Sequence, residues 1–121
     1  FAPSALAEIA ESYFELPNAT DNMAARFMLL VTNVHEDKQD LIPAVSHMGT
    51  ARVQTVYKET NSSYYNLIER FGQSTGVPIL LNTSFNVRGE PIVSSPHDAL
   101  NTFRNSGIDT LVIGNHIVDK P

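Results

Sequence analysis

Apolar positions along the chain recur with two different periods, and each period predicts its own kind of element. Over Ser4–Phe14, Leu6, Ile9, Ala10 and Tyr13 stand at i, i+3, i+4 and i+7, which is one stripe of an amphipathic helix. Pro3 and Ser4 suit its start, and Pro17 stops it. Asn22–Val34 contains the unbroken apolar run Phe27-Met-Leu-Leu-Val31; a short run of this kind, followed by a polar turn, predicts a buried strand. The turn is His35–Asp40, rich in charge. Leu41–Val45 and Ala51–Tyr57 predict two more strands. The second alternates Val53, Thr55 and Tyr57 with Arg52, Gln54 and Val56, and so presents two faces. Gly49 between them marks a turn or a close backbone approach.

The second half of the chain reads more regularly. Ser62–Gln73 places Tyr64, Leu67, Ile68 and Phe71 on one helical stripe, with Gly76 near its end. Val77–Asn82 follows as a strand, its proline at the start. Ser95-Pro96-His97-Asp98 opens a third helix: serine at the N-cap, proline at the first helical position and an acid in the first turn agree. Ala99, Leu100 and Phe103 are its apolar residues and Gly107 its stop. Asp109–Gly114 is a last strand, with Ile117 and Val118 in a short extra one. Strands and helices interleave, so the predicted class is α/β or α+β. With no repeat and no low-complexity linker, one domain is expected to cover residues 1–121.

The stretch richest in chemistry is Asn82-Thr-Ser-Phe-Asn-Val-Arg-Gly-Glu-Pro91. It leaves an apolar strand directly and gathers amides, hydroxyls and a guanidinium. Asn82, Ser84 and Asn86 can hydrogen-bond to an oxyanion, and Arg88 can pair bidentately with phosphate or carboxylate. Gly89 permits positive φ and close ligand approach. The structural alternative is a long turn, since Asn, Ser and Gly are ordinary turn residues. A second feature is His47-Met-Gly-Thr-Ala-Arg52. Arg52 enters an apolar strand and needs a partner there, either a ligand phosphate or a carboxylate such as Glu90. Arg52 and Arg88 together predict a site for a polyanion. His35, His47, His97 and His116 lack metal-ligand spacing, and no Walker loop, dinucleotide fingerprint or nucleophile elbow is present.

Composition narrows the partners. The 121 residues carry 42% hydrophobic and 17% charged side chains, a balance that can fill a core without staples. A net charge of −5 argues against nucleic acid, whose phosphates dominate affinity. The chain has no cysteine, which excludes disulfides and thiolate metal sites and suits a cytoplasmic location. No stretch is long and apolar enough to cross a bilayer, and the first residues lack the pattern of a signal peptide. Phe1-Ala-Pro without an initiator Met reads as a boundary inside a larger protein.

Four blocks carry a resemblance. Phe1-Ala-Pro-Ser4, Gly49-Thr-Ala-Arg-Val-Gln-Thr-Val56, Thr75–Val93 and Ser95-Pro-His-Asp-Ala99 resemble, in order and over essentially the whole chain, the C-terminal domain of the O-carbamoyltransferases. That family includes nodulation-factor, aminoglycoside and cephem carbamoyltransferases; the block from Thr75 to Val93 is the specific one. The resemblance implies a YrdC-like fold, a twisted mixed sheet with packed helices. It also implies binding of ATP and carbamoyl phosphate with Mg2+ and formation of carbamoyladenylate. The carbamoyl group would then pass to an acceptor hydroxyl in a preceding actin/hexokinase-like domain, which has its own iron-type metal site. By position, Arg52, Asn82 and Ser84 would contact the carbamoyl phosphate and nucleotide phosphates, Arg52 and Ser84 at the reacting groups. Arg88, Asn86, Thr83 and His47 would complete the binding set. Adenylyl transfer of this kind needs positioning and charge neutralisation rather than a covalent nucleophile.

Two departures from the family pattern matter. The family carries His-x-Asp-Gly before Thr-Ala-Arg, whereas His47-Met48-Gly49 has no acid. The family also carries basic residues just before the Phe-Ala-Pro start, upstream of Phe1. Against the enzymatic expectation stand two others: a nucleotide- or RNA-binding YrdC-type module without catalysis, and a domain that only supports its partner.

Overall fold

Pro3–Leu6, the first strand (β1), is the centre of a three-stranded sheet and is buried along its whole length. The computed structural model describes residues 2–120, which group into two compact units, Phe1–Thr83 and Ser84–Pro121.

In the first unit, β1 is followed by a 3-10 helix at Ala7–Ser12, a second at Ala19–Asp21 and a short helix α1 at Met23–Arg26. Strand β2 (Thr32–Asn33), a 3-10 helix (Glu36–Leu41), β3 (Thr50–Ala51) and β4 (Gln54–Val56) come next. Helix α2 (Ser62–Thr75) and β5 (Ile79–Leu81) complete the unit. β1 pairs parallel with β4 and antiparallel with β5, in the order β4-β1-β5. The sheet is therefore mixed, which is consistent with the α/β class.

The two faces of β1 feed two cores. Ala5, with Ile79 of β5, enters a cluster built with Ala10, Tyr13, Phe14, Leu16, Val34 and Val53. Leu6, with Val56 of β4, packs on Ile68 of α2, flanked by Ile9, Tyr64, Tyr65 and Leu80. A strand covered on both faces shows no alternation in its sequence.

Four predicted elements take other forms. The Ser4–Phe14 helix is a strand followed by a 3-10 helix. The i, i+3 neighbours Ala7, Ala10 and Tyr13 are still buried, because a three-residue turn stacks them on one side, but Pro3–Leu6 is claimed by the sheet. Phe27–Val31 is not a buried strand: Phe27, Leu29, Leu30 and Val31 are exposed, and pairing begins only at Thr32. Leu41–Val45 is a turn in which the Val45 and Ser46 N–H groups both donate to the Ile42 carbonyl; Pro43, with no N–H, favours this over a ladder. Ala51–Tyr57 is divided. Thr50–Ala51 pairs with β2, Gln54–Val56 pairs with β1, and Arg52 lies where the chain changes partners.

Helix α2 matches its prediction closely. Asn61 caps it by accepting from the Tyr64 N–H, and it ends at Thr75 before Gly76. Of the predicted stripe, Ile68 is fully buried, whereas Leu67 and Phe71 are exposed. The predicted strand Val77–Asn82 is realised as Ile79–Leu81.

In the second unit, α3 (Pro96–Asn105) starts at its predicted serine cap. It packs Ala99 and Phe103 on Leu111 of a hairpin formed by β6 (Thr110–Ile113) and β7 (His116–Asp119). Phe85, Val93, Leu100, Ile113 and Val118 close this third core.

Two predictions follow from packing in the first unit. Gly72 lies inside α2, where alanine ordinarily favours the helix by about 1 kcal/mol. A Cβ at Gly72 would stand 2.4 Å from Pro78 Cβ and 2.9 Å from Pro78 Cα. Gly72→Ala should therefore lower the urea midpoint, with an overpacking cost of about 1–3 kcal/mol. The second concerns Tyr65 of α2, whose hydroxyl donates to Glu8. That bond first, then burial, raises the Tyr65 pKa from 10.0 to about 12. The resulting stability is present below pH 10 and lost as pH rises toward about 12. In alkaline denaturation, Tyr65→Phe should flatten this loss, and phenolate absorbance should show one late tyrosine disappearing.

Candidate functional site

The sheet of the first unit ends in a cluster of polar side chains. Ser4 is paired with Gln54 on one side and with Leu80 on the other. Two residues further out, Arg52 and Asn82 therefore lie at the same end of the sheet, flanking the start of β1. The Asn82 N–H donates to the Ala2 carbonyl at 2.7 Å, continuing the pairing past β5. The Asn82 side-chain amide donates to Gln54 Oε1 at 2.7 Å, and the buried Ser4 hydroxyl donates to the same oxygen at 2.8 Å. Two donors on one oxygen fix the orientation of the Gln54 amide. Gln54 Nε2 and Asn82 Oδ1 then carry no hydrogen bond among the described residues. The Asn82 amide also touches Met28 Sδ at 3.8 Å.

Arg52 is exposed although both its neighbours, Ala51 and Val53, are buried. Among the described residues the one ion pair is Lys38–Asp37, so no carboxylate neutralises Arg52. A guanidinium held between two buried residues, at the same end of the sheet as an amide donor and an amide acceptor, can take an oxyanion bidentately. Thr83 is exposed and closes the first unit.

His47 stands at the foot of a two-residue hairpin turn. His47 and Thr50 exchange backbone hydrogen bonds of 2.8 and 3.0 Å, and the Thr50 hydroxyl donates to the His47 carbonyl. The turn residues Met48 and Gly49 have φ of 51° and 75°, the type I′ signature that favours Asn-Gly or Asp-Gly. Met48 stands directly before the glycine. It is 90% exposed, an apolar side chain on strained backbone.

The boundary between the two units runs through the predicted segment, with Ser84, Asn86 and Arg88 in the second. There the chain forms a braced loop. The Val93 N–H donates to the Phe85 carbonyl at 2.9 Å and closes its base. The Glu90 N–H donates to the Val87 carbonyl at 3.0 Å, and Gly89 has φ 91°, the geometry of a type II turn. Arg88 at the turn's corner is exposed, as is Ser84. Asn86 behaves differently from the expected oxyanion donor. Its amide N–H groups donate to the Val87 and Glu90 carbonyls, so they hold the loop, and its buried Oδ1 has no partner among the described residues.

A cavity of about 390 Å³ in the second unit is lined by Glu90–Ser94 together with Asp98, Asn101 and Thr102 of α3. Its charged residues are Glu90 and Asp98, and the Ser95 hydroxyl holds the Asp98 carboxyl below the usual carboxylate range. A wall of this sign does not suit a phosphate.

Ser4 and Gln54 are functional candidates that the sequence reading passed over. The signal available for Gln54 was its polar side chain on the same face as Arg52. Ser4 by its sequence context signals only a helix start. Among the described residues no group of three His, Asp or Glu side chains could hold a metal ion.

The Met48–Gly49 turn yields a direct test. Met48→Asp should raise stability by about 0.5–1 kcal/mol in thermal or urea unfolding, since Asp tolerates the left-handed region better. Met48→Asn should give the same gain, because it keeps the backbone preference without the charge.

Residues 1–120 match the family model described as "Carbamoyltransferase C-terminus", through both units. The chain is 48% identical over 121 residues to nodulation protein NolNO of Sinorhizobium fredii, covering 99% of this chain and 18% of that protein. It is equally similar, at 48%, to nodulation protein NolO of Bradyrhizobium diazoefficiens, covering 22% of it. Similarity to the 3'-hydroxymethylcephem-O-carbamoyltransferase of Amycolatopsis lactamdurans is 34% over 90 residues, 74% of this chain and 17% of that one. The chain thus spans about a fifth of the length of these relatives. With the family match running from residue 1 to residue 120, the chain belongs to the carbamoyltransferase C-terminal family.

Proposed function

We propose that this chain is the domain of an ATP-dependent O-carbamoyltransferase that forms carbamoyladenylate. The observation that carries this is the polar end of the first unit's sheet. There Arg52, unpaired among the described residues, lies at the same end as the fixed amides of Gln54 and Asn82.

In the proposed reaction, water first hydrolyses carbamoyl phosphate to carbamate, and inorganic phosphate leaves. A carbamate oxygen then attacks the α-phosphorus of ATP, the α–β P–O bond breaks, and pyrophosphate leaves. The charge to be held resides on phosphate and carbamate oxygens, so a guanidinium and amide N–H groups supply what is needed. Arg52 binds the oxyanion. Gln54 Nε2 donates to the carbamoyl oxygen, and Asn82 Oδ1 accepts from the carbamoyl amine. Ser4 acts through Gln54 by holding its orientation. On the family resemblance, Thr83 and His47 take binding roles in the first unit, and Ser84, Asn86 and Arg88 are taken separately as the phosphate-binding candidates of the second. Mg2+ enters this scheme as the companion of the nucleotide phosphates. Transfer to the acceptor hydroxyl belongs to a preceding domain of the same polypeptide, in keeping with the greater length of the relatives.

Calorimetric titration with ATP and carbamoyl phosphate tests this, on a polypeptide extended upstream of Phe1, where the family pattern carries basic residues. Saturable heat that needs both ligands is expected, and no heat with both present would overturn the proposal. Arg52→Ala should weaken carbamoyl phosphate binding by about 1–3 kcal/mol, the scale of a lost charge-assisted bond, with the melting temperature unchanged. Arg88→Ala is expected to behave alike. A melting temperature that collapses while binding persists would make either arginine a structural residue.

A further inference from the structure

The apolar run that the sequence predicts to be buried is instead the most exposed apolar stretch of the first unit. Phe27 is 58% exposed, Leu29 77%, Leu30 37% and Val31 63%, and Met23, one helical turn before Phe27, is 61% exposed. Residues 22–34 carry a single charge, Arg26. Its guanidinium lies over the Tyr57 ring, 4.7 Å from the centroid, so it is engaged within the unit. Five large apolar side chains at this exposure present on the order of a few hundred Å², the scale at which a patch marks an interaction surface.

The patch borders the candidate site. β2 and β3 are antiparallel, with Thr32 opposite Ala51, so the next position outward sets Val31 across from Arg52. On the other flank Met28 touches the Asn82 amide. An occupant of this surface would lie along the Arg52–Asn82 end of the sheet and shield it from water.

We infer that Met23, Phe27, Leu29, Leu30 and Val31 form the docking surface for the domain that precedes this one in the longer carbamoyltransferase polypeptide, and that docking there closes the Arg52–Asn82 site. The occupant is chosen on length. The relatives are roughly five times longer than the chain, which covers 18% and 22% of the first two, and the matched family is a carbamoyltransferase C-terminus. This rests on the proposed function for the identity of the partner, but its test reads neither ATP nor carbamoyl phosphate and fails separately.

The chain has no cysteine, so single cysteines report accessibility cleanly. Leu29→Cys, Val31→Cys and, as a control on exposed α2, Gln73→Cys would be labelled with a maleimide. Each is compared in this chain alone and in the polypeptide carrying the preceding domain. The expected result is labelling slowed about ten-fold or more at Leu29→Cys and Val31→Cys by the preceding domain, equivalent to 1.4 kcal/mol or more, with Gln73→Cys unchanged. Equal rates with and without that domain would overturn the inference. So would protection in the chain alone, whether it rises with concentration, which means a second copy covers the patch, or does not, which means the chain covers it itself. Leu29→Asp supplies a second readout. It should leave the melting of the chain unchanged and weaken binding of a separately produced preceding domain about ten-fold or more; unweakened binding would count against the surface.

Discussion

The first unit depends on one short strand, β1, being paired on both edges and covered on both faces. Four residues, Pro3 to Leu6, hold the parallel β4 on one side and the antiparallel β5 on the other. They also separate the two cores of the unit, with Ala5 turned to one and Leu6 to the other. Buried backbone groups must be hydrogen-bonded, and a central strand meets that demand through its neighbours. Pro3 is compatible with this because it opens the strand. The hydroxyl of Ser4, fully buried, is satisfied by Gln54.

The same pairing organises the chemistry. The register through Ser4 brings Gln54 and Asn82, which are 28 residues apart, into hydrogen-bond contact, and it sets Arg52 at the same end of the sheet. Arg52 lies where the chain leaves its pairing with β2 and takes up its pairing with β1. A residue at such a change of partner belongs to neither ladder, so its side chain projects from a rigid base without filling a core. This is how a cation can be precisely held and still exposed. The second unit uses other means. Its loop from Phe85 to Val93 is tied at the base by one backbone bond, at the tip by a type II turn, and in the middle by Asn86. Asn86 therefore has a structural share in the loop that its residue type alone does not reveal.

Elements whose partners are near in sequence were legible. The cap at Ser95, the start of α2 at Ser62 and the apolar residues of α3 rest on contacts within one helix or with the next hairpin, and they stand where the sequence placed them. The family block from Thr75 to Val93 was legible too, and the family match confirms it. What could not be read was pairing at a distance. Pro3–Leu6 has a helical pattern, yet β4 and β5, about 50 and 75 residues away, take it into a sheet. Ala51–Tyr57 has a strand pattern, and nothing local says that it serves two sheets.

The site was therefore half visible. Sequence alone determined the chemical types, an arginine beside an apolar strand and a stretch dense in amides and hydroxyls, because those are fixed by side-chain identity. Only the tertiary structure decided which of them meet: Asn82 with Gln54 and Ser4 at the end of a sheet, Asn86 spent on its own loop, Met48 strained at a turn. Proximity in space depends on strand register, and register is set by long-range hydrogen bonding that leaves no local pattern. The run Phe27–Val31 marks the same limit from the other side. Its sequence fixed a strong preference for burial, while the fold of this chain left that preference unmet.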